Sequence, residues 1–480
     1  MQQTITTKLK QNFPWEPTRQ QEEALSLLGA FVEGRTDYDC FVLKGYAGTG
    51  KTTLISAVVK TLNDFRVQTV LLAPTGRAAK VMNYYSGKKA QTIHKKIYRK
   101  KQSLSPDMSF ELAPNFHEHT LFIIDESSMI GNDPISFQRK SLLEDLMRYV
   151  KQGKSCKILF VGDTAQLPPI GLIDSPALVP KLLESNFGLQ TLSFELQEVV
   201  RQAQNSGILF NATQIRNEIN QIKESEQLLK SIPILKTRGF NDFYRMGGEQ
   251  LIEGLNYAYN KFGIENTLVI CRSNKSANLY NQHIRHQILF REEELSGGDY
   301  VMVVRNNYYW LNQEDPETNS FIANGDMAQV RRVRNVHEQY GFRFADVTLE
   351  FSDMEESEAI TCRVLLDTLH SDTPNLSAED YQLLYERILE DIADGPVSTK
   401  EHREQLKTDP YFNALQIKFS MAITCHKAQG GQWDAVFVDQ GFLKDEKVDR
   451  EFLQWLYTAL TRATKELFLV NFHPSFFANL

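Results

Sequence analysis

Eight residues, Gly45-Tyr46-Ala47-Gly48-Thr49-Gly50-Lys51-Thr52, constrain this chain more than any other stretch. They follow the apolar run Cys40-Phe41-Val42-Leu43 and lead into residues 53–62, where Leu54, Ile55, Val58, Val59 and Leu62 share one helical face. Strand, glycine-rich loop and helix in that order predict a phosphate-binding loop. The glycines let the backbone wrap a phosphate and turn successive N–H groups inward, and the helix N-terminus adds partial positive charge. The spacing lets Lys51 reach β- and γ-phosphates and lets the Thr52 hydroxyl ligate Mg²⁺. A nucleoside triphosphate site is implied.

The whole chain of 480 residues has room for about three domains. No apolar run approaches the ~18 residues of a membrane span, so no membrane partner is expected. The start, Met1-Gln2-Gln3-Thr4, is polar and lacks a signal-peptide core. Five cysteines stand singly at 40, 156, 271, 362 and 425, which predicts reduced thiols and a cytoplasmic protein. The net charge of −7 excludes a globally basic nucleic-acid coat. Any nucleic-acid contact has to be a local groove.

Residues 1–36 read as helical. A glutamine about one helix ahead of the phosphate loop, Gln20 or Gln21, offers a donor and an acceptor to an adenine edge. Thr69-Val70-Leu71-Leu72-Ala73 reads as a buried strand ending in Pro74-Thr75-Gly76-Arg77, where open α/β sheets place ligands. Seven basic residues and no acidic one lie between Lys88 and Lys101, which favours phosphate contacts there. Leu121-Phe122-Ile123-Ile124 closes on Asp125-Glu126: one carboxylate to hold Mg²⁺ (Asp125) and one to orient or deprotonate the attacking water (Glu126). A further strand, from Lys157, ends in Gly162-Asp163-Thr164-Ala165-Gln166-Leu167-Pro168-Pro169, where Gln166 can hydrogen-bond the γ-phosphate.

These strings, with Thr92-Ile93-His94 and Asp125-Glu126-Ser127-Ser128-Met129, resemble in order and spacing the motifs of superfamily 1 DNA helicases, the RecD/Dda-like branch in particular. The second half extends the likeness through Leu196-Gln197-Glu198-Val199-Val200-Arg201-Gln202, Thr424-Cys425-His426-Lys427-Ala428-Gln429-Gly430-Gly431-Gln432 and Leu456-Tyr457-Thr458-Ala459-Leu460-Thr461-Arg462-Ala463. The motifs cover most of 15–220 and 265–300, plus 415–472.

The resemblance implies two RecA-like P-loop motor domains, parallel sheets flanked by helices. The first occupies 1–200, with a hairpin insertion at 95–119. The second occupies 201–298 and 416–480, interrupted at 299–415 by a small β-barrel and helices. Short alternating strands near 300–304, 328–333, 344–351 and 361–366, with a turn at Asn324-Gly325-Asp326, fit that barrel. The helix from Ser377 has no assigned chemistry beyond packing or partner contact.

The resemblance also implies site roles. Lys51, Glu126, Gln166, Arg201 and Arg462 would perform catalysis. Gln21, Gly45, Ala47, Gly48, Thr49, Gly50, Lys51, Thr52, Thr53 and Gly430 would hold ATP, and Thr52 and Asp125 would hold Mg²⁺. Pro74, Thr75, Thr92, His94, Asn274, Thr424, His426 and Lys427 would contact DNA. Phe110, with Phe116 second, would be the pin that parts a duplex. The implied activity is ATP-driven movement along single-stranded DNA, 5′→3′, with unwinding at single-strand/duplex junctions in replication, repair or recombination. Repair or replication proteins are expected as partners of a functional monomer. Two other readings compete: a translocase that does not unwind within a larger repair complex, and a small-molecule phosphotransferase, which has no use for the second-half arginines.

Overall fold

A computed structural model of the chain describes residues 4–100, 110–132, 141–200, 205–222, 232–312, 321–351, 359–393, 400–441 and 448–477. Its first sheet has six parallel strands in the order Ala90–Thr92, Thr69–Ala73, Leu121–Ile124, Lys157–Gly162, Cys40–Gly45, Thr191–Leu196. The strand period of two explains its continuous apolar runs. Phe41 and Leu43 face one core with Leu54, Ile55 and Val58 of the Lys51–Asp64 helix. Cys40 and Val42 face the other, against Leu143, Leu146, Met147 and Val150 of the Leu142–Gln152 helix. Both faces are covered, and the ligand-bearing edge is left at the strand ends.

The second sheet has five parallel strands in the order Ala422–Thr424, Thr267–Cys271, Trp433–Asp439, Ala463–Val470, Phe243–Met246. Helices Gly207–Gln221 and Arg450–Leu460 pack on it through Ile208, Ile215 and Ile219 against Phe452, Leu456 and Leu460.

Between these segments lies a closed barrel of Tyr300–Val303, Met327–Gln339, Phe342–Phe351, Ile360–Leu365 and Leu415–Phe419. The turn at 324–326 is present, with Gly325 at φ +95° and its N–H donated to the Val303 carbonyl. Leu415–Phe419 closes the barrel on Tyr300–Val303 and Ile360–Leu365, so the barrel runs past residue 415 to 419. Helices Ala378–Ala393 and Lys400–Lys407 cover one end of it by packing Leu384, Ile388 and Leu406 on Phe342, Phe344 and Leu365.

In the first domain, Tyr98–Lys100 pairs antiparallel with Phe110–Leu112, the base of a hairpin. Residues 101–109 fall outside the described residues, and Phe110 is placed only through its backbone pairing to Lys100. Phe116 is 86 % exposed and lies in the return from the hairpin, beside Asn115, whose amide donates to the Tyr149 carbonyl. No helix among the described residues is long and apolar enough to cross a membrane.

Candidate functional site

The phosphate loop leaves the Cys40–Gly45 strand and enters the Lys51–Asp64 helix through Gly48 (φ +75°) and Gly50 (φ +86°), backbone conformations that a side chain would strain. Lys51 Nζ donates to the carbonyls of Gly45 (2.6 Å) and Tyr46 (3.0 Å) and stands 3.9 Å from Asp163 Oδ2. The Thr49 hydroxyl is buried and donates to the Tyr46 carbonyl, 2.8 Å away. A cleft of about 540 Å³ opens over this loop. Ala47, Gly48, Gly50, Lys51, Thr52, Thr53, Asp125, Glu126, Asp163 and Gln166 line one wall, and Thr461, Arg462 and Thr464 line the other. Gly45 and Thr49 are not among the lining residues; they shape the loop from behind.

Gln21 lines the cleft too, 3 % exposed. Its Oε1 accepts from Thr18 N–H and its Nε2 donates to the Thr49 carbonyl at 2.9 Å, so this amide caps its own helix and braces the phosphate loop. Gln20 points elsewhere: its Oε1 accepts the N–H groups of Gln197 and Glu198 beyond the Thr191–Leu196 strand.

The acidic pair sits at the end of the Leu121–Ile124 strand. Asp125 Oδ2 accepts from the Tyr85 hydroxyl at 2.6 Å and Oδ1 from Glu126 N–H at 2.8 Å. Glu126 is left-handed at φ +49°, a conformation that costs a non-glycine residue and so points to a functional constraint. Burial pushes both carboxyls above their usual range; the Tyr85 hydrogen bond opposes this first at Asp125, and the Arg462 charge does so at Glu126. Arg462 Nη1 stands 3.9 Å from Glu126 Oε1 across the cleft. The guanidinium is aimed by hydrogen bonds to the carbonyls of Thr458 (3.1 Å) and Gly431 (3.3 Å). Gln166 is 6 % exposed, and its Oε1 has no partner among the described residues. Such an orphaned polar atom on a cleft wall suits a ligand that supplies the missing bond.

Hard oxygen donors fit Mg²⁺ here. That ion keeps several waters and needs only one or two protein ligands beside phosphate oxygens, and Asp125 with the exposed Thr52 would be those ligands. Arg201 lies outside the described residues.

The candidate DNA contacts gather at the C-terminal ends of strands in both sheets. Pro74 and Thr75 follow Thr69–Ala73, Thr92 ends Ala90–Thr92, Asn274 follows Thr267–Cys271, and Thr424 ends Ala422–Thr424. The Thr75 and Thr92 hydroxyls cap the helices that follow, accepting from Ala78 and Lys95 N–H. Burial pushes His94 down to about 4 and Lys427 down to about 8, so at neutral pH the first is uncharged and the second charged. Gly430 departs from the nucleotide-binding expectation. It does not line the cleft, and at φ +72° it packs so tightly on the first domain that a Cβ there would meet the Ala78 Cβ at 2.7 Å and the Thr75 hydroxyl at 3.3 Å.

Three further residues shape this site: Asp163 lines the cleft, and Tyr457 and Tyr85 hydrogen-bond to residues that line it. Asp163 and Tyr457 both stood inside recognised strings, yet neither carried a role there. Tyr85 gave no signal at all.

The AAA domain family model matches residues 20–234, and the UvrD-like helicase C-terminal domain model matches residues 419–470. The ATP-dependent DNA helicase dda of Enterobacteria phage T4 is 24 % identical over 453 residues, covering 89 % of this chain and 93 % of its own. The ATP-dependent RecD2 DNA helicase of Deinococcus radiodurans is 35 % identical over 129 residues, 27 % of this chain but 16 % of the relative. Among solved structures, the Pif1 helicase from Bacteroides in complex with ADP-AlF3 and ssDNA aligns with 97 % of this chain and 95 % of that one, at 15 % identity and a TM-score of 0.46. With a nucleotide-binding model matched over residues 20–234 and a helicase C-terminal model over residues 419–470, in the order that the two sheets occupy, the chain belongs to the superfamily 1 helicases of the RecD/Dda type.

Proposed function

We propose that this protein is an ATP-dependent DNA helicase that moves 5′→3′ along single-stranded DNA and separates the strands at a junction. One observation carries the reading: Arg462 of the second domain stands 3.9 Å from Glu126 of the first, over a cleft that also holds Lys51, Asp125 and Gln166. A small-molecule phosphotransferase has no need of a second-domain arginine in that place. A motor does, because ATP then binds fully only when both domains close on it.

Lys51 and the loop N–H groups hold the β- and γ-phosphates. Glu126 orients the attacking water and takes its proton, and Gln166 bonds the γ-phosphate. Mg²⁺, bound through Asp125 and Thr52, would neutralise phosphate charge. Arg462, with Arg201 as its proposed second, cannot lose its proton and stabilises the charge that develops on the transferring group. Closure and release shift Pro74, Thr75, Thr92 and His94 relative to Asn274, Thr424, His426 and Lys427, which is stepping. Phe110 is the proposed pin. A monomer contains every part named, working in the cytoplasm in replication, repair or recombination.

The test is ATP hydrolysis with and without single-stranded DNA, followed by unwinding of a duplex with a 5′ single-stranded tail. DNA-stimulated hydrolysis with strand separation is the expected result. DNA-independent turnover would point to the phosphotransferase, and stimulated turnover without separation to a translocase.

A further inference from the structure

The second domain reaches the phosphate loop itself through one buried phenol. Tyr457, 1 % exposed, belongs to the Arg450–Leu460 helix and stands five residues before Arg462. Its hydroxyl accepts the N–H of Ala47 in the phosphate loop at 2.8 Å and donates to Asp163 Oδ2 at 2.7 Å. Both partners are first-domain groups. Asp163 is also 1 % exposed; its other oxygen accepts Ala165 N–H at 2.9 Å. The oxygen that takes the phenol hydrogen bond is the same one that lies 3.9 Å from Lys51 Nζ.

Asp163 therefore competes for the ammonium that the proposed chemistry needs on phosphate. A buried carboxylate oxygen must be satisfied, and among the described residues the phenol, at 2.7 Å, and Lys51, at 3.9 Å, are the side-chain donors at hand. While the phenol holds Oδ2, Lys51 stays at arm's length and can turn to an incoming phosphate. Were the phenol withdrawn, Lys51 would be the remaining partner, drawn into a direct ion pair with Asp163. The Ala47 N–H would lose its acceptor in the same event.

We propose that Tyr457 is a positioning residue that frees Lys51 for phosphate only while the second domain is docked, by holding the Asp163 carboxylate and the Ala47 N–H with one hydroxyl. The nucleotide site is thereby armed by the domain that carries Arg462. The neighbouring contacts show that this docking is organised around one loop. The Thr458 hydroxyl accepts Leu167 N–H at 2.8 Å, and Gln429 Nε2 donates to the Leu167 carbonyl at 2.7 Å. The loop that begins at Asp163 is thus gripped from the second domain at both ends.

The inference rests on the ATP reading of the cleft, and a double-substitution cycle separates the two. Tyr457→Phe keeps the ring and deletes only the hydroxyl. In the full chain it is expected to raise the KM for ATP about tenfold, the scale of one lost charge-assisted hydrogen bond, and to raise KM by a larger factor than it lowers kcat. In the Asp163→Asn background the competing charge is gone, so the same substitution should change KM less than about twofold. Equal effects in both backgrounds, or no effect of Tyr457→Phe on KM, would overturn the proposal and leave the ATP reading intact. Should Tyr457→Phe alone not fold, Asp163→Asn must restore folding in the double variant, since the same unsatisfied charge is then the cause; failure to restore it would also overturn the proposal. Lys51→Ala tests the ATP reading itself: retention of normal ATP binding there would sink that reading rather than this one.

Discussion

Truncating Arg462 to alanine separates its structural work from its chemical work, because the two differ in size. The residue is 4 % exposed, and its guanidinium donates to the Thr458 and Gly431 carbonyls and to the Thr461 hydroxyl. Two buried carbonyls lose a donor in Arg462→Ala, at about 1 kcal/mol each, so the fold should weaken by about 2 kcal/mol and melt a few degrees lower. An arginine that stabilises the transferring phosphoryl group contributes at least about 10³-fold to turnover, or about 4 kcal/mol. A folded variant should therefore hydrolyse ATP about a thousandfold more slowly while binding it within about tenfold. A second signature is expected in the pH profile. Burial pushes the Glu126 carboxyl up, and the Arg462 charge is the first influence holding it down. A base must be ionised to act: activity is present above its pKa and lost as pH falls through it. Removing Arg462 raises that pKa further, so the acidic limb of the residual activity moves to higher pH. Single-turnover hydrolysis at saturating single-stranded DNA, run across roughly pH 5 to 9, reads both effects. A rate within about threefold of the parent, or an acidic limb that does not move, would refute the assignment of Arg462 to the reacting phosphate.

Glu126→Gln should slow hydrolysis by about 10³-fold yet still bind ATP and DNA, as equilibrium binding of both would record; fast turnover would end its assignment as base. Lys427, pushed by burial down to about 8, is charged below that pH and neutral above it. Affinity for single-stranded DNA should accordingly fall as pH rises from about 7 to 9. His426, lowered by burial, is already neutral there, whereas buried Lys418, also pushed down to about 8, titrates in the same window. Lys427→Gln should flatten the dependence in fluorescence anisotropy but not abolish it, and an unchanged slope would remove Lys427 from the DNA path. Asn281 ties the barrel to the second sheet, its amide donating to the Phe419 and Ala422 carbonyls and accepting Ala422 N–H at 2.8 Å. Asn281→Ala should cost about 2–4 kcal/mol in denaturant unfolding, and a loss under about 0.5 kcal/mol would show that the junction is not held there.

What could be read from sequence depended on how local the cause was. The strands Cys40–Gly45, Thr69–Ala73, Leu121–Ile124 and Thr267–Cys271 are covered on both faces, so each carries an unbroken run of four apolar residues. Phe243–Met246, the edge of the second sheet, has four residues and only one of them buried, too few for any period to register. Leu415–Phe419 misled for the opposite reason. All five residues are buried, as in a motor-domain strand, but what places it in the barrel is pairing of Phe419 with Val301 and of Leu415 with Val364, more than fifty residues away in sequence. Within the site, Lys51, Asp125, Glu126 and Gln166 announced themselves because each stands in a short string at the end of its own apolar strand, so its neighbours in sequence carry the signal. Tyr457 did not. On a helix whose residues 452–460 are all buried, an aromatic ring reads as core, and only the fold shows where its hydroxyl goes.

The same contacts supply a physical route between the two halves of the proposed activity. Residues 424–432 run from the candidate DNA contacts Thr424, His426 and Lys427 at the edge of the second sheet to the wall of the cleft at Gln432. Within that short span Gln429 donates to the Leu167 carbonyl, and Gly430 lies against Thr75 and Ala78. Leu167 in turn belongs to the loop containing Asp163 and Gln166, both of which line the cleft. A shift of that loop would have to carry Gln429 with it or break a buried hydrogen bond, and the approach of Gly430 to Ala78 leaves no room for a side chain between the two domains there. In the proposed motor, displacement at the γ-phosphate would reach the candidate DNA contacts of both domains through Gln429 and Gly430. A cleft built from one domain could bind ATP, but it could not pass that displacement on to DNA.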